Sequence, residues 1–166
     1  MTVPAWRRDT HDNGNKEGYE DATTAAEKLL KHTMQKLNGK AGREYFSKSE
    51  TFTKRVPLLK TARKIYRLCK KANLIYPTKV WHFKKRQKLV LKAILTADDM
   101  FTYLTLFNEE KRIPHIEYWT GLVVKADKLL RGWIKSDERR KQALKEKKRA
   151  LREERLKSAE SLKSQP

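Results

Sequence analysis

The residues from Leu58 to Tyr76 carry an apolar and a basic pattern that fit the two sides of one helix. Apolar side chains recur there at spacings of 4, 3, 4, 3 and 4 residues, which is typical of a helix face that packs against a core. They are Leu58, Ala62, Ile65, Cys69, Ala72 and Tyr76. Lys60, Lys64, Arg67 and Lys71 follow the same periodicity on the opposite side. The pattern predicts an amphipathic helix with one continuous basic face.

The sequence also marks the start of this helix and an earlier helix before it. Pro57 suits its first position, where the missing N–H has no helical partner in any case. A first helix is predicted over Tyr19–Leu37, and Asn38 with Gly39 then forms a stop. Its core face contains Ala22, Ala26, Leu29, Leu30, Thr33 and Leu37. Residues 40–55 show no clear period, so we expect a long linker or a loop that a partner orders.

Two more helices follow the break at Tyr76-Pro77-Thr78. The third is predicted over Lys79–Asn108, with Gln87 as the polar exception on its core face. The core face contains Phe83, Val90, Ile94, Ala97, Phe101 and Leu104. The fourth is predicted to start at Arg112-Ile113-Pro114, and its core face contains Trp119, Leu122, Ala126, Leu129 and Trp133.

The fold class follows from these four patterns together with the composition. Only 6 Gly and 5 Pro are present, so the turn residues that many short strands need are scarce. We therefore expect an all-α protein with an up-and-down four-helix bundle. The predicted parts are a flexible N-terminal arm (residues 1–18), the bundle (19–136) and a projecting charged helical tail (137–166).

The charge distribution is strongly uneven. Between Thr51 and Ala97 there are fourteen Lys and Arg and no Asp or Glu, in a chain whose formal net charge is +20. A compact domain normally mixes both signs, because like charges repel one another. A polyanion would supply the missing charge, so we expect a nucleic-acid-binding surface. The candidate residues are Lys60, Arg63, Lys64, Arg67, Lys70, Lys71, Lys79, Trp81, Lys84, Lys85, Arg86, Lys88 and Lys92.

Aromatic residues lie among these cations. Trp81 and His82 are the better candidates for stacking on unpaired bases, whereas we expect Phe83 and Tyr76 to pack in the core or at the bundle end. The basic tail is either a second nucleic-acid contact or a solubilising helix, since several Glu are interspersed with its Lys and Arg.

No pattern for catalysis or metal binding is found in the sequence. None of the four His has a second His or Cys at ligand spacing. Cys69 falls on an apolar face, and Asp98 with Asp99 lies inside a helical pattern without a partner strand for a two-metal site. We expect no enzyme activity, no metal and no cofactor. Without an apolar run long enough for a membrane span or a visible secretory signal, we expect a cytoplasmic protein.

The segment Asp127–Lys135 resembles the closing helix of a four-helix-bundle family. This family includes the accessory variability determinant of diversity-generating retroelements and the proteins encoded in ribosomal-RNA intervening sequences. The resemblance rests on Gly132, Trp133 and Ile134, on the opening at Pro57 and on the aromatic-Pro break at Tyr76-Pro77. It covers about half of the chain, from Val56 to Ser136.

The resemblance implies a homopentamer that binds a reverse transcriptase and its template RNA without doing chemistry. Gly132, Trp133 and Ile134 are then either anchors of a subunit contact or residues that close the bundle core. Two other functions remain open at this stage. They are a stand-alone RNA- or DNA-binding bundle of a phage or mobile element, and an adaptor whose basic faces dock on an acidic protein.

Overall fold

A computed structural model describes residues 21–38, 46–111 and 113–163. It contains four α-helices: α1 (Ala22–Leu37), α2 (Val56–Asn73), α3 (Val80–Glu110) and α4 (Ile116–Lys163). α1 and α3 each pack against both α2 and α4, so the four helices form a closed ring around one core. The predicted all-α up-and-down bundle is confirmed. The arm predicted for residues 1–18 lies outside the described residues.

The core faces of α1 and α2 agree closely with their patterns. Five of the six predicted α2 residues are fully buried, and Tyr76 is not because α2 ends at Asn73. Asp21 caps α1 by accepting a hydrogen bond from the Thr24 N–H at 2.7 Å. Thr33 joins α1 to α4, because its hydroxyl donates to the Leu29 carbonyl and accepts from Trp119 Nε1 at 3.1 Å.

The core faces of α3 and α4 differ in detail from the prediction. Met100 is fully buried whereas Phe101 is exposed. On α4, Val123 and Leu130 are buried and their predecessors Leu122 and Leu129 are only partly buried. Adjacent apolar positions are 100° apart around a helix, so an apolar pair does not reveal which member points to the axis of the bundle.

The segment before α2 is partly helical, which corrects the prediction of a linker up to residue 55. Ser47 and Glu50 begin this segment, and the Glu50 carboxylate accepts from the Ser47 N–H at 2.7 Å and from the Ser47 hydroxyl at 2.9 Å. A π-helical turn over Thr51–Arg55 then leads directly into α2. Phe46 is buried with its ring 6.3 Å from that of Phe107, so this segment is anchored on the end of α3.

Helix α4 starts later and packs further along the bundle than the sequence suggested. Pro114 precedes the helix and does not lie in its first turn, since His115 has a φ of 58° and α4 begins at Ile116. Asp137 is buried, so packing extends just beyond the predicted boundary at residue 136. The helix then continues unbroken to Lys163. Its side chains are exposed from Lys145 to Ser158, so this part projects as a charged tail.

Candidate nucleic-acid interface

The outer face of α2 is basic along its whole length. Its six Lys and Arg are exposed, and the apolar residues with which they alternate are buried. The helical period separates the two sets because positions three or four apart share a face. The exposed members are Lys60, Arg63, Lys64, Arg67, Lys70 and Lys71.

The turn before α3 and the first half of that helix extend this surface. Lys79, Lys84, Lys85, Lys88 and Lys92 are all exposed. Together with the six cations of α2 they form what we call the basic surface. Among the described residues, no carboxylate forms an ion pair with any of these eleven side chains. The surface therefore has a concentrated positive charge that the described part of the chain does not neutralise.

Arg86 is not part of the basic surface, which corrects its assignment from the sequence. Its side chain is only 6% exposed, and its Nε donates to Asp137 Oδ2 at 2.6 Å while Nη2 bonds the other carboxylate oxygen. The guanidinium also lies 5.7 Å from the ring centres of Phe83 and Trp133. Burial raises the pKa of the Asp137 carboxyl, and the Arg86 guanidinium opposes that rise. Arg86 thus joins α3 to α4 and is not accessible to a ligand.

Lys54 and Arg55 also belong to the carboxylate-free stretch but have structural partners. Lys54 bonds Glu50 at 2.9 Å and pairs with Glu110 at the end of α3. These two carboxylates, Glu110 foremost, raise the pKa of the Lys54 ammonium. The guanidinium of Arg55 donates to the Leu37 carbonyl at the end of α1. Both cations hold the segment before α2 in place, which separates them from the basic surface.

The aromatic residues at the α2–α3 turn divide into buried and exposed ones. Phe83 is buried, as expected, but Tyr76 is half-exposed, contrary to the expectation that it packs. Trp81 is exposed and its ring centre lies 3.9 Å from that of His82. His82 itself has a structural role, since its Nδ1 accepts from the N–H groups of Thr78 and Lys79 at 3.3 Å. Trp81 is therefore the most exposed of these rings and is accessible for stacking.

The candidate anchors near the middle of α4 have different environments. Trp133 and Ile134 are partly buried against the core, as expected of residues that close a bundle. Gly132 is exposed, and a Cβ added there would meet no atom within 4 Å. No other helix therefore approaches Gly132 closely within the described part of the chain. Gly121 has the same open surroundings.

The residues considered for chemistry differ in their surroundings. Asp98 and Asp99 are exposed on α3, and Asp98 Oδ1 is 3.6 Å from Arg131 Nη2. Cys69 is fully buried, and burial raises the pKa of its thiol to about 12, which suppresses the thiolate that nucleophilic chemistry needs. No cluster of three metal-binding side chains occurs in the described ranges.

A scan against protein-family models and searches of curated proteins and solved structures gave no match for this chain. None of the helices in the described ranges has the length and apolar character that a membrane span requires. The function is therefore inferred from the geometry of the basic surface.

Proposed function

We propose that this chain is a non-catalytic RNA-binding protein that holds RNA on its basic surface. One observation carries the proposal: eleven exposed cations on α2, α3 and their turn lack an ion pair with any described carboxylate. When these cations neutralise the phosphates of an RNA, the counterions condensed on the RNA are released. This release favours binding. Cations arranged along helices read backbone charge and carry little information about base identity.

The family resemblance extends this proposal to a specific role. In that role the chain is an accessory of a retroelement, binds a reverse transcriptase with its template RNA and supports complementary-DNA synthesis as a homopentamer. The resemblance at Gly132, Trp133 and Ile134 supports it. Gly121 and Gly132 are separated by about three helical turns, so they lie on one outer face of α4 where a second helix has room to approach.

The RNA-binding proposal is tested by removing part of the charge. We measure the affinity of two variants for a labelled 20-nucleotide RNA. The first variant has Lys60, Lys64, Arg67 and Lys71 changed to Gln. The control has Lys28, Lys111, Lys125 and Lys128 changed to Gln, which are exposed and lie outside the basic surface, so both variants lose the same charge. The first variant should bind about tenfold more weakly or worse than the control. Equal affinities for the two variants would refute an RNA site on α2.

The accessory role needs a separate test because its support is separate. Light scattering at high salt should give five times the chain mass, and a reverse transcriptase encoded beside this chain should co-purify with it. A monomer that binds RNA would favour the stand-alone bundle. If the chain captures an acidic protein and has no affinity for RNA itself, the adaptor is favoured.

A further inference from the structure

Large apolar side chains are exposed at the end of the bundle where α2 passes into α3. Leu74 is 78% exposed, Tyr76 49% and Trp81 55%. We call these three residues the turn surface. Isolated exposed apolar residues are common, but three within eight positions at one end of a small bundle are typical of an interaction site.

The backbone under the turn surface is fixed. Arg86 Nη1 donates to the Ile75 carbonyl at 3.4 Å while the same side chain is held by Asp137. His82 accepts from the N–H groups of Thr78 and Lys79 at the start of α3. Trp81 lies next to His82 in the first turn of α3, so its ring is presented from a rigid position and little conformational freedom is lost on binding.

The cations nearest in sequence to the turn surface are part of the basic surface. Lys70 and Lys71 lie in the last turn of α2, Lys79 precedes α3, and Lys84 and Lys85 lie in the second turn of α3. The same end of the molecule therefore combines exposed rings with exposed ammonium groups. Proteins that hold single strands use this combination, in which cations hold the phosphates while aromatic rings stack on the bases.

Helix α4 adds charge at the same end. It runs antiparallel to α3, since Arg86 pairs with Asp137 and Asp98 lies beside Arg131. Residues beyond Leu144 therefore extend past the start of α3, and at 1.5 Å per residue they project by roughly 28 Å. From Lys145 to Lys157 this part has seven Lys and Arg against three Glu, so it is a positively charged helix next to the turn surface.

We infer that the turn surface binds unpaired nucleotides of the RNA, with a base stacked on Trp81 and the adjoining phosphates on the neighbouring lysines. The inference rests on the proposed RNA-binding function and narrows its ligand to RNA with single-stranded stretches or loops. Duplex RNA cannot stack on Trp81 because its bases are already paired and stacked. Duplex binding would then depend on the cations alone.

Exposed Trp and Lys residues also suit an anionic membrane, but the geometry of the molecule favours RNA. The basic surface continues along α2 to Lys60, about 20 Å from the turn at the helical rise. A flat membrane against the bundle end would not reach it, and the projecting part of α4 would meet that membrane first. A nucleic-acid strand can follow both the turn surface and the length of α2.

The test compares Trp81→Leu with Phe52→Leu. Phe52 is 82% exposed in the π-helical turn at the opposite end of α2, so the control also removes an exposed ring. Both variants are titrated with a 20-nucleotide oligouridine, with an abasic strand of the same length and with duplex RNA. Circular dichroism confirms that each variant is folded.

Trp81→Leu should weaken oligouridine binding roughly tenfold and change binding of the abasic strand and the duplex by less than about twofold, whereas Phe52→Leu should change none of the three. Unaltered oligouridine affinity would overturn the inference, as would equal losses for all three ligands. In either of these cases, the variant with Lys60, Lys64, Arg67 and Lys71 changed to Gln decides about the proposed function. If it binds RNA more weakly than its control, the proposed function stands and only the stacking site is refuted. Loss of binding to phosphatidylserine vesicles, with oligouridine binding intact, would identify a membrane site instead.

Discussion

At the scale of single residues, equal charges have opposite uses in this chain. Lys60 and Lys85 are exposed on the basic surface, whereas Arg86 is buried against Asp137, Phe83 and Trp133. A guanidinium can bond a carboxylate with two parallel N–H groups and stack on rings. This explains why an Arg, and not one of the neighbouring Lys, occupies the buried position.

Arg86→Met should destabilise the bundle by about 3–5 kcal/mol, because it leaves the buried Asp137 carboxylate without its counter-charge. Urea unfolding followed by circular dichroism measures the loss, and Lys85→Met serves as the control at an exposed neighbour. Adding Asp137→Leu to Arg86→Met should restore a large part of the stability. An Arg86→Met protein as stable as the wild type would show that the pair does not hold α3 to α4.

His32 should make stability fall in mildly acidic solution. Burial, with a smaller contribution from the charge of Lys36, lowers the pKa of its imidazole, and its buried Nε2 has no hydrogen-bond partner among the residues that the structure describes. The unfolded chain therefore takes up a proton at a higher pH than the folded chain. Stability is retained above about 6.5, the ordinary His value, and declines as the pH falls below it.

The His32 effect is measured as the difference in unfolding free energy between pH 7.5 and pH 5.5. His32→Phe keeps a ring beside Tyr118 and Trp119 but cannot be protonated, so its difference should be smaller. An equal difference in both proteins would assign the acid sensitivity to other groups.

At the scale of helices, the segment from Phe46 to Arg55 extends α2 beyond what periodicity indicates. Glu50 accepts hydrogen bonds from Lys54 and from the Ser47 N–H and hydroxyl. These bonds, that from Lys54 foremost, lower the pKa of the Glu50 carboxyl to about 2. The hydrogen bonds of Glu50 with Ser47, a π-helical turn and the ion pair of Lys54 with Glu110 thus hold the start of α2.

Glu50→Ala should reduce stability by about 1 kcal/mol, because the carboxylate no longer caps the Ser47 N–H or bonds Lys54, and it should speed hydrogen exchange in the Thr51–Arg55 turn. Glu109→Ala, at an exposed carboxylate of α3, is the control for the charge change. The difference between wild type and Glu50→Ala should shrink as the pH falls from 4.5 towards about 2, because the carboxylate is then protonated. Unchanged exchange rates in the turn would contradict the capping role.

Periodicity predicted most of the α1 and α2 faces, because residues such as Thr33, Leu37, Ala62 and Ile65 have polar neighbours that mark the other side of the helix. It did not distinguish Val123 from Leu122, or Leu130 from Leu129, since each pair is apolar. Arg86 lies three residues after Phe83 and four before Val90, which is core spacing, but its charge led to an exposed assignment. The Ser47 and Glu50 pair is a readable helix start that was missed. Exposure of Leu74 and Tyr76 depends on where α2 ends, which the apolar pattern did not fix.

At the scale of the whole molecule, α4 has two parts with different tasks. Up to Asp137 and Glu138 it packs on α3, and Glu138 Oε2 accepts from Gln87 at 2.8 Å. Beyond Leu144 its described side chains are exposed. The first part stabilises the bundle, and the second adds charge beside the turn surface.

Two truncations separate these tasks. Ending the chain after Leu144 should change the unfolding free energy by less than about 0.5 kcal/mol, because the described side chains that are lost are exposed, while RNA affinity decreases. Ending it after Lys135 removes Asp137 and should cost about 3–5 kcal/mol, since Arg86 is then buried without its counter-charge. If the truncation after Leu144 destabilises the protein strongly, the tail packs on the bundle. If the same truncation leaves RNA affinity unchanged, the tail does not contact RNA.

The central claim is that the basic surface binds RNA phosphates, and the salt dependence of RNA affinity tests it most directly. For single strands, the logarithm of affinity falls with the logarithm of salt concentration by about 0.7 per phosphate neutralised. Changing Lys60, Lys64, Arg67 and Lys71 to Gln should therefore make the slope shallower by about 3 relative to the wild type. The control at Lys28, Lys111, Lys125 and Lys128 should leave it nearly unchanged. Identical slopes for the wild type and the α2 variant would contradict the claim.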